Sequence, residues 1–138
     1  MATADLGGKP SAAPKFFLKY HKPCIYLIDY SFATTTGNLK ENPRASISFM
    51  DLDNLEGYRL NGAVTLIERG KVYNQILKEF QRRLVALSAT RVIQGMHTGK
   101  KYEHFELEIP DKFIIYKVKV VEAVKIGRQG DLLKEKAE

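Results

Sequence analysis

The stretch TTTGNLKENPR, residues 34–44, lies between the apolar run CIYLI of residues 24–28 and the alternating run ASISF of residues 45–49. The first turn of a helix leaves backbone N–H groups unpaired, and nearby hydroxyl and amide side chains add hydrogen-bond donors. We therefore expect a short helix from Asn38 to Glu41, ended by Pro43, and interpret the threonine-rich segment before it as a phosphate cradle. A plainer interpretation is that Thr36 or Asn38 only caps this helix.

The length and composition of the chain indicate how many domains it forms and where in the cell it is found. The chain has 138 residues with 44% hydrophobic content, which suits one domain, predicted over residues 1–128 with a tail over residues 129–138. The Lys- and Glu-rich tail is expected to be frayed or weakly helical. Neither a long apolar run nor a secretory leader pattern occurs, so we expect a cytoplasmic protein. The single cysteine, Cys24, is expected to be a small buried apolar residue.

The formal net charge of +6 favours an anionic partner. The basic residues are spread along the chain among acidic ones, which makes nucleic acid an unlikely partner. A barrel that binds single strands stays a third hypothesis, and its contacts would include Lys15, Phe16, Tyr26 and Lys117.

The periodicity of apolar residues predicts several short strands and one long helix. Strands are predicted over residues 2–5, 11–20, 24–29, 44–50, 58–67, 102–109 and 113–124, and the helix runs from Lys71 to about Thr90, before a loop at residues 95–99. Pro14 indicates a place where no ladder needs its N–H, and Gly62 indicates a bulge or a close approach to the backbone. This order predicts a mainly β fold with α, a small closed or half-closed barrel whose bulky ligand lies in a groove shared with a second subunit.

Several of these segments resemble one known family. The turn Gly8-Lys9-Pro10, the pair Pro14-Lys15, the run of residues 25–28 and the segment of residues 38–46, which fits N-L-x-x-N-P-R-x-S, carry the resemblance. The chain resembles the FMN-binding split-barrel proteins related to pyridoxamine 5′-phosphate oxidase, most closely over residues 2–67. The resemblance implies a homodimer with FMN in two symmetric grooves at the interface. Relatives usually carry a helix before the first strand, and without it we expect either that one end of the barrel is open or that residues 129–138 take its place.

The resemblance also assigns cofactor-binding positions. The backbone beside the isoalloxazine ring would be that of Pro14, Lys15 and Phe16, and Ile28 and Asp29 would lie near the ribityl chain. The residues that would meet the phosphate are Thr34, Thr35, Thr36 and Asn38. Many relatives have Arg or Lys where this chain has Thr34 and Thr35, so Lys15 or a basic residue of the partner subunit would supply charge. This departure keeps the deazaflavin F420 and haem open as alternative cofactors.

The leading hypothesis is an FMN-binding protein, a small flavin oxidoreductase of unknown substrate. The alternative is a non-enzymatic module that binds a flavin, a deazaflavin or haem. His21, His97 and His104 have no neighbours at a spacing that specifies nucleophilic or metal chemistry, so no metal site is expected. Tyr58 and Arg59, beside Gly57 and Gly62, are the candidates for a substrate face.

Overall fold

An antiparallel sheet of eight strands dominates the structure, a computed structural model that describes residues 1–30, 33–98, 112–127 and 129–136. The elements in chain order are β1 (Ala2–Ala4), β2 (Pro10–Ala12), β3 (Phe16–His21), β4 (Cys24–Asp29), α1 (Thr34–Glu41), β5 (Arg44–Asp51), β6 (Glu56–Ile67), α2 (Lys71–Thr98), β7 (Ile114–Ile126) and β8 (Leu132–Lys136). The predicted fold class, mainly β with helices, is therefore confirmed. The strand predicted over residues 102–109 lies outside the described residues.

The sheet is an open, split barrel. Its strand order is β2-β1-β5-β6-β7-β4-β3, so β2 and β3 are its two ends. β7 is long enough to hold two partners on one side, because β4 pairs with residues 114–119 and β8 pairs with residues 122–126. β1 pairs with β5 only through Ala2 and Ser46, which leaves most of β5 bonded to β6 alone.

The core follows from the alternation of side chains along the strands. Ile25 and Leu27 of β4 face inward together with Val118 and Val120 of β7, and Leu39 of α1 joins the same cluster. These buried residues belong to one of two compact units, which consists of Met1–Ile67 and Phe113–Glu138. The other unit, Glu68–Lys112, contains α2.

Four expectations about elements need correction. α1 begins at Thr34 rather than Asn38, and α2 continues through Gly95 to Thr98, because one interior glycine costs a helix only about 1 kcal/mol. The strand predicted over residues 11–20 is divided into β2 and β3, with Pro14 between them. The tail forms β8 rather than a frayed or helical end, because a turn with Gly130 at φ +81° returns the chain to β7.

Candidate functional site

A cavity of about 1130 Å³ lies where the barrel is split. Its walls come from β3 and the segment before it on one side and from β5 and β6 on the other, above a floor of β4 and β7. The lining residues are Met1, Pro14, Lys15, Phe17, Tyr20, Lys22, Pro23, Ile25, Leu27, Ile47, Ser48, Phe49, Tyr58, Leu60, Val120 and Ala123. Most of these side chains are apolar or aromatic, as is typical of sites for organic ligands.

The wall on β5 and β6 carries an ordered aromatic pair. Phe49 and Tyr58 occupy directly opposite positions in the ladder, and their rings stack with centroids 5.1 Å apart and an interplanar angle of 14°. The Tyr58 hydroxyl donates to Glu56 Oε2 at 2.8 Å, and Glu56 Oε1 lies 2.8 Å from Lys125 Nζ. The hydrogen bond from Lys125 lowers the pKa of Glu56, and the bond to Glu56 raises the pKa of Tyr58. The pair is thus held in place as two uncharged rings.

Behind the opposite wall is a buried polar network that joins four parts of the chain. Lys15 Nζ lies 2.6 Å from Asp29 Oδ2, and the Tyr116 hydroxyl donates to the same oxygen at 3.0 Å. Thr36 Oγ1 is 2.9 Å from the Tyr116 oxygen. Because Tyr116 has given its only hydroxyl proton to Asp29, Thr36 is the donor in this bond. Burial, which is the largest cause, and the nearby carboxylate raise the pKa of Tyr116 far above 10, so the phenol stays protonated.

This network decides what Lys15 can do. Pro14 and Lys15, which the resemblance places beside the isoalloxazine ring, both line the cavity. The Lys15 side chain is only 2% exposed and is paired with Asp29, so its backbone, and not its ammonium group, faces the cavity. The expectation that Lys15 supplies positive charge to a phosphate is therefore not met in this structure. Lys15 is equally inaccessible to the single-stranded nucleic acid of the third hypothesis.

The phosphate-cradle residues of α1 are mostly turned inward. Thr35, Thr36 and Asn38 are buried, and Asn38 Nδ2 donates to Thr3 Oγ1 at 3.1 Å. The simple capping interpretation is wrong, because Ala33 is the N-cap and no side chain bonds there. What α1 can offer an anion is its first-turn N–H groups and the exposed Thr34, with no acidic residue in that turn.

The remaining predicted residues are not brought together. Ile28 is fully buried on the strand face opposite Leu27, and Phe16 is 60% exposed with its ring centroid 5.5 Å from that of Tyr30. Tyr58 lines the cavity, whereas Arg59 follows it in β6 and points to the other face of the sheet. Sequence reasoning did not find Tyr116 or the Phe49–Tyr58 pair, because an aromatic residue within a strand has no local signal for such a partner.

Within the described ranges, no group of three or more His, Cys, Asp or Glu side chains is placed to hold a metal ion. His21 is exposed at the end of β3, and His104 lies outside those ranges. The described part of the chain also contains no helix that is long and apolar enough to cross a membrane.

An open sheet with an apolar, aromatic-walled cavity has the architecture of the split-barrel class. The family model for pyridoxamine 5′-phosphate oxidase matches residues 1–116, so the chain belongs to that family. No curated protein matches the sequence.

Solved structures agree on the fold. A protein from Clostridium acetobutylicum, related to general stress protein 26 of the pyridoxinephosphate oxidase family, is 12% identical with a TM-score of 0.68, over 98% of this chain and 82% of that one. A pyridoxamine 5′-phosphate oxidase-related, FMN-binding protein from Nostoc punctiforme is 15% identical with a TM-score of 0.57, over 99% and 85%. HutZ, the heme storage protein from Vibrio cholerae, is 16% identical with a TM-score of 0.57, over 86% and 78%.

Proposed function

We propose that this protein binds FMN in the cavity of the split barrel and acts as a small flavin oxidoreductase. The observation that carries the proposal is that Pro14 and Lys15 line the largely apolar cavity. This is the segment that the family resemblance assigns to the isoalloxazine ring. A bound flavin supplies hydride or electron transfer, and the protein contributes orientation and exclusion of water.

The described residues fit this cofactor at both ends. Apolar and aromatic side chains suit a flat ring system. At the other end, the N-terminus of α1 carries partial positive charge, and its first turn contains no acidic residue. Tyr116 and Asp29 connect α1 to Lys15 through direct hydrogen bonds and an ion pair, so the two ends are fixed relative to each other.

The oligomeric state is part of the same proposal. Phe17 and Tyr20 on β3 are 60% and 59% exposed, and a second copy of the chain would cover such apolar surface. We expect a homodimer with the flavin at its interface, as the resemblance implies. Sedimentation of the purified protein as a monomer at micromolar concentration, with or without FMN, would contradict this part.

A single substitution on α1 tests where the phosphate binds. Thr34→Glu adds a negative charge to the first helical turn, which is favourable for the helix dipole but repels a phosphate. We expect the Kd for FMN to rise about tenfold, equivalent to about 1.4 kcal/mol. The Kd for riboflavin, which lacks the phosphate, should change less than about twofold.

The matched control is Thr34→Gln, which has almost the same size and no charge. Titration calorimetry of the wild type and of both variants with FMN and with riboflavin gives the six affinities that are needed. If Thr34→Glu weakens the binding of FMN and riboflavin equally, or weakens neither, the result would contradict phosphate binding at α1.

A second candidate is a non-enzymatic module that holds haem or a deazaflavin. The size of the cavity favours it, because about 1130 Å³ exceeds the roughly 300–1000 Å³ of ordinary small-molecule sites. The structural similarity to a heme storage protein is consistent with this alternative. Tighter retention of hemin than of FMN, without turnover of NAD(P)H by the FMN-loaded protein, would favour the module over the enzyme.

A further inference from the structure

The cavity has aromatic side chains on both of its walls. Four aromatic side chains line it, Phe17 and Tyr20 from β3 and Phe49 and Tyr58 from the opposite wall. Phe49 is 50% exposed although it is stacked on Tyr58. Large exposed aromatic side chains on a soluble domain are typical of surfaces that bind something. The cavity is also larger than an ordinary site for one small ligand.

The Phe49–Tyr58 pair has the properties of a preformed stacking surface. The two rings are nearly parallel, and the Tyr58 hydroxyl is held by Glu56, which is in turn paired with Lys125. The nearest charges are therefore compensated within the chain, and the rings themselves are neutral. An aromatic ligand would lose little of its binding energy to ordering this wall, because the wall is already ordered.

We infer that Phe49 and Tyr58 form a binding site for a planar aromatic molecule that enters beside the flavin, and that such molecules are the substrate class of this protein. The substrate role rests on the proposed flavin function, whereas the aromatic site itself rests only on the cavity and the stacked pair. Flat rings stack on aromatic side chains in an offset geometry that saturated molecules of the same volume cannot adopt. The site should thus select for planarity rather than for hydrophobicity alone.

The test is titration calorimetry of the FMN-loaded protein with 2-methyl-1,4-naphthoquinone, a planar probe. Decahydro-2-naphthol, a saturated molecule on the same ring skeleton, is the comparison probe. Phe49→Leu keeps an apolar side chain and removes the stacking face, so we expect the naphthoquinone to bind about fivefold more weakly. Phe49→Tyr keeps the ring, and its Kd for the naphthoquinone should lie within about twofold of the wild-type value.

Met50→Leu is the matched control, because Met50 is 65% exposed beside Phe49 on β5 but does not line the cavity. We expect this variant to bind the naphthoquinone like the wild type. Both leucine variants are checked for an unchanged urea midpoint, which excludes loss of fold as the cause. Failure of the wild type to bind the naphthoquinone, or equal loss for both probes in Phe49→Leu, would overturn the inference.

The affinity for FMN separates this inference from the proposed function. If Phe49→Leu weakens FMN as much as the naphthoquinone, the pair belongs to the flavin site and the inference is overturned. If the wild type retains no FMN, the flavin proposal fails, and the same titrations on the flavin-free protein still test the aromatic site. If Phe49→Leu then weakens the binding of the naphthoquinone but not that of decahydro-2-naphthol, the result would support the aromatic site but not its role as a substrate site.

Discussion

Tyr116 connects a buried ion pair to a helix that is far away in the sequence. Its side chain is fully buried and bonds both Asp29 and Thr36, which lie 87 and 80 residues away along the chain. Burying two charges is expensive, and the cost is recovered only where every remaining polar group finds a partner. In the described part of the chain, every buried side-chain nitrogen and oxygen has one. The network therefore holds the cavity wall at Lys15 in a defined place.

Breaking this ion pair from one side should destabilise the fold strongly. Lys15→Met removes the ammonium group that is paired with the buried Asp29 carboxylate, and we expect the free energy of unfolding to fall by about 3–5 kcal/mol. Urea denaturation at pH 7 measures this change. The double variant Lys15→Met with Asp29→Leu removes both charges and should recover most of the loss. A single variant within about 1 kcal/mol of the wild type would show that the pair is not buried as described.

The contribution of the Glu56–Lys125 pair, beside the aromatic wall, to the free energy of unfolding should depend on pH. The pKa of Glu56 is lowered, first by the hydrogen bond from Lys125. Its contribution to stability is therefore present above the ordinary glutamate pKa of about 4.3, and is lost as the pH falls through the lower pKa of the folded state. Glu56→Gln removes this contribution.

We expect wild type and Glu56→Gln to differ in free energy of unfolding at pH 7 and to converge towards pH 3. Urea denaturation at the two pH values measures the difference. The same gap at both values would mean that the carboxylate charge contributes nothing, and that only the shape of the side chain matters.

At the scale of elements, the strands were predictable from alternation, whereas the ends of elements were not. β4 is a short apolar run that is buried on both faces, β5 alternates between buried and more exposed residues in its first half, and both strands lie close to where the sequence pattern predicts them. The threonines of α1 look like free donors in the sequence. In the structure, Asn38 bonds Thr3 and Thr36 bonds Tyr116, and these partners lie 35 and 80 residues away along the chain. No local pattern contains that information.

Gly62 tests how closely two strands approach at the bulge in β6. The ladder to β7 shifts register between Asn61 and Gly62, and a Cβ at Gly62 would lie 2.5 Å from the Lys119 carbonyl oxygen and 2.8 Å from Val118 Cγ1. The predicted close approach is thus confirmed, and the neighbouring strand is what approaches. Gly62→Ala should lower the free energy of unfolding by about 2 kcal/mol, because backbone cannot move aside easily.

Gly37 provides the matched control for that substitution. It lies within α1, and a Cβ there would meet nothing within 4 Å. Gly37→Ala should raise the free energy of unfolding by about 0.5–1 kcal/mol, since glycine is a poor helix former. Urea denaturation of both variants gives the comparison. Similar effects of the two substitutions would contradict the packing described at the bulge.

At the scale of the whole molecule, the open sheet creates the site. The cavity walls are β3 and β5, which do not pair with each other in the described sheet. The strand pattern predicted a small closed or half-closed barrel and the family resemblance a split barrel, and the structure confirms the split-barrel class of fold. The cavity itself was not predictable, because it depends on a gap between two strands that do not pair with each other. The net charge of +6 is consistent with an anionic ligand such as FMN.

The absorption spectrum of the purified protein, recorded after incubation with FMN and removal of free ligand by desalting, tests the central claim most directly. A flavin site predicts bands near about 375 and 450 nm that stay with the protein in near-equimolar amount. Thr34→Glu, desalted in parallel, should retain clearly less. A colourless protein after the same treatment would contradict the claim that this split barrel is a flavin-binding protein.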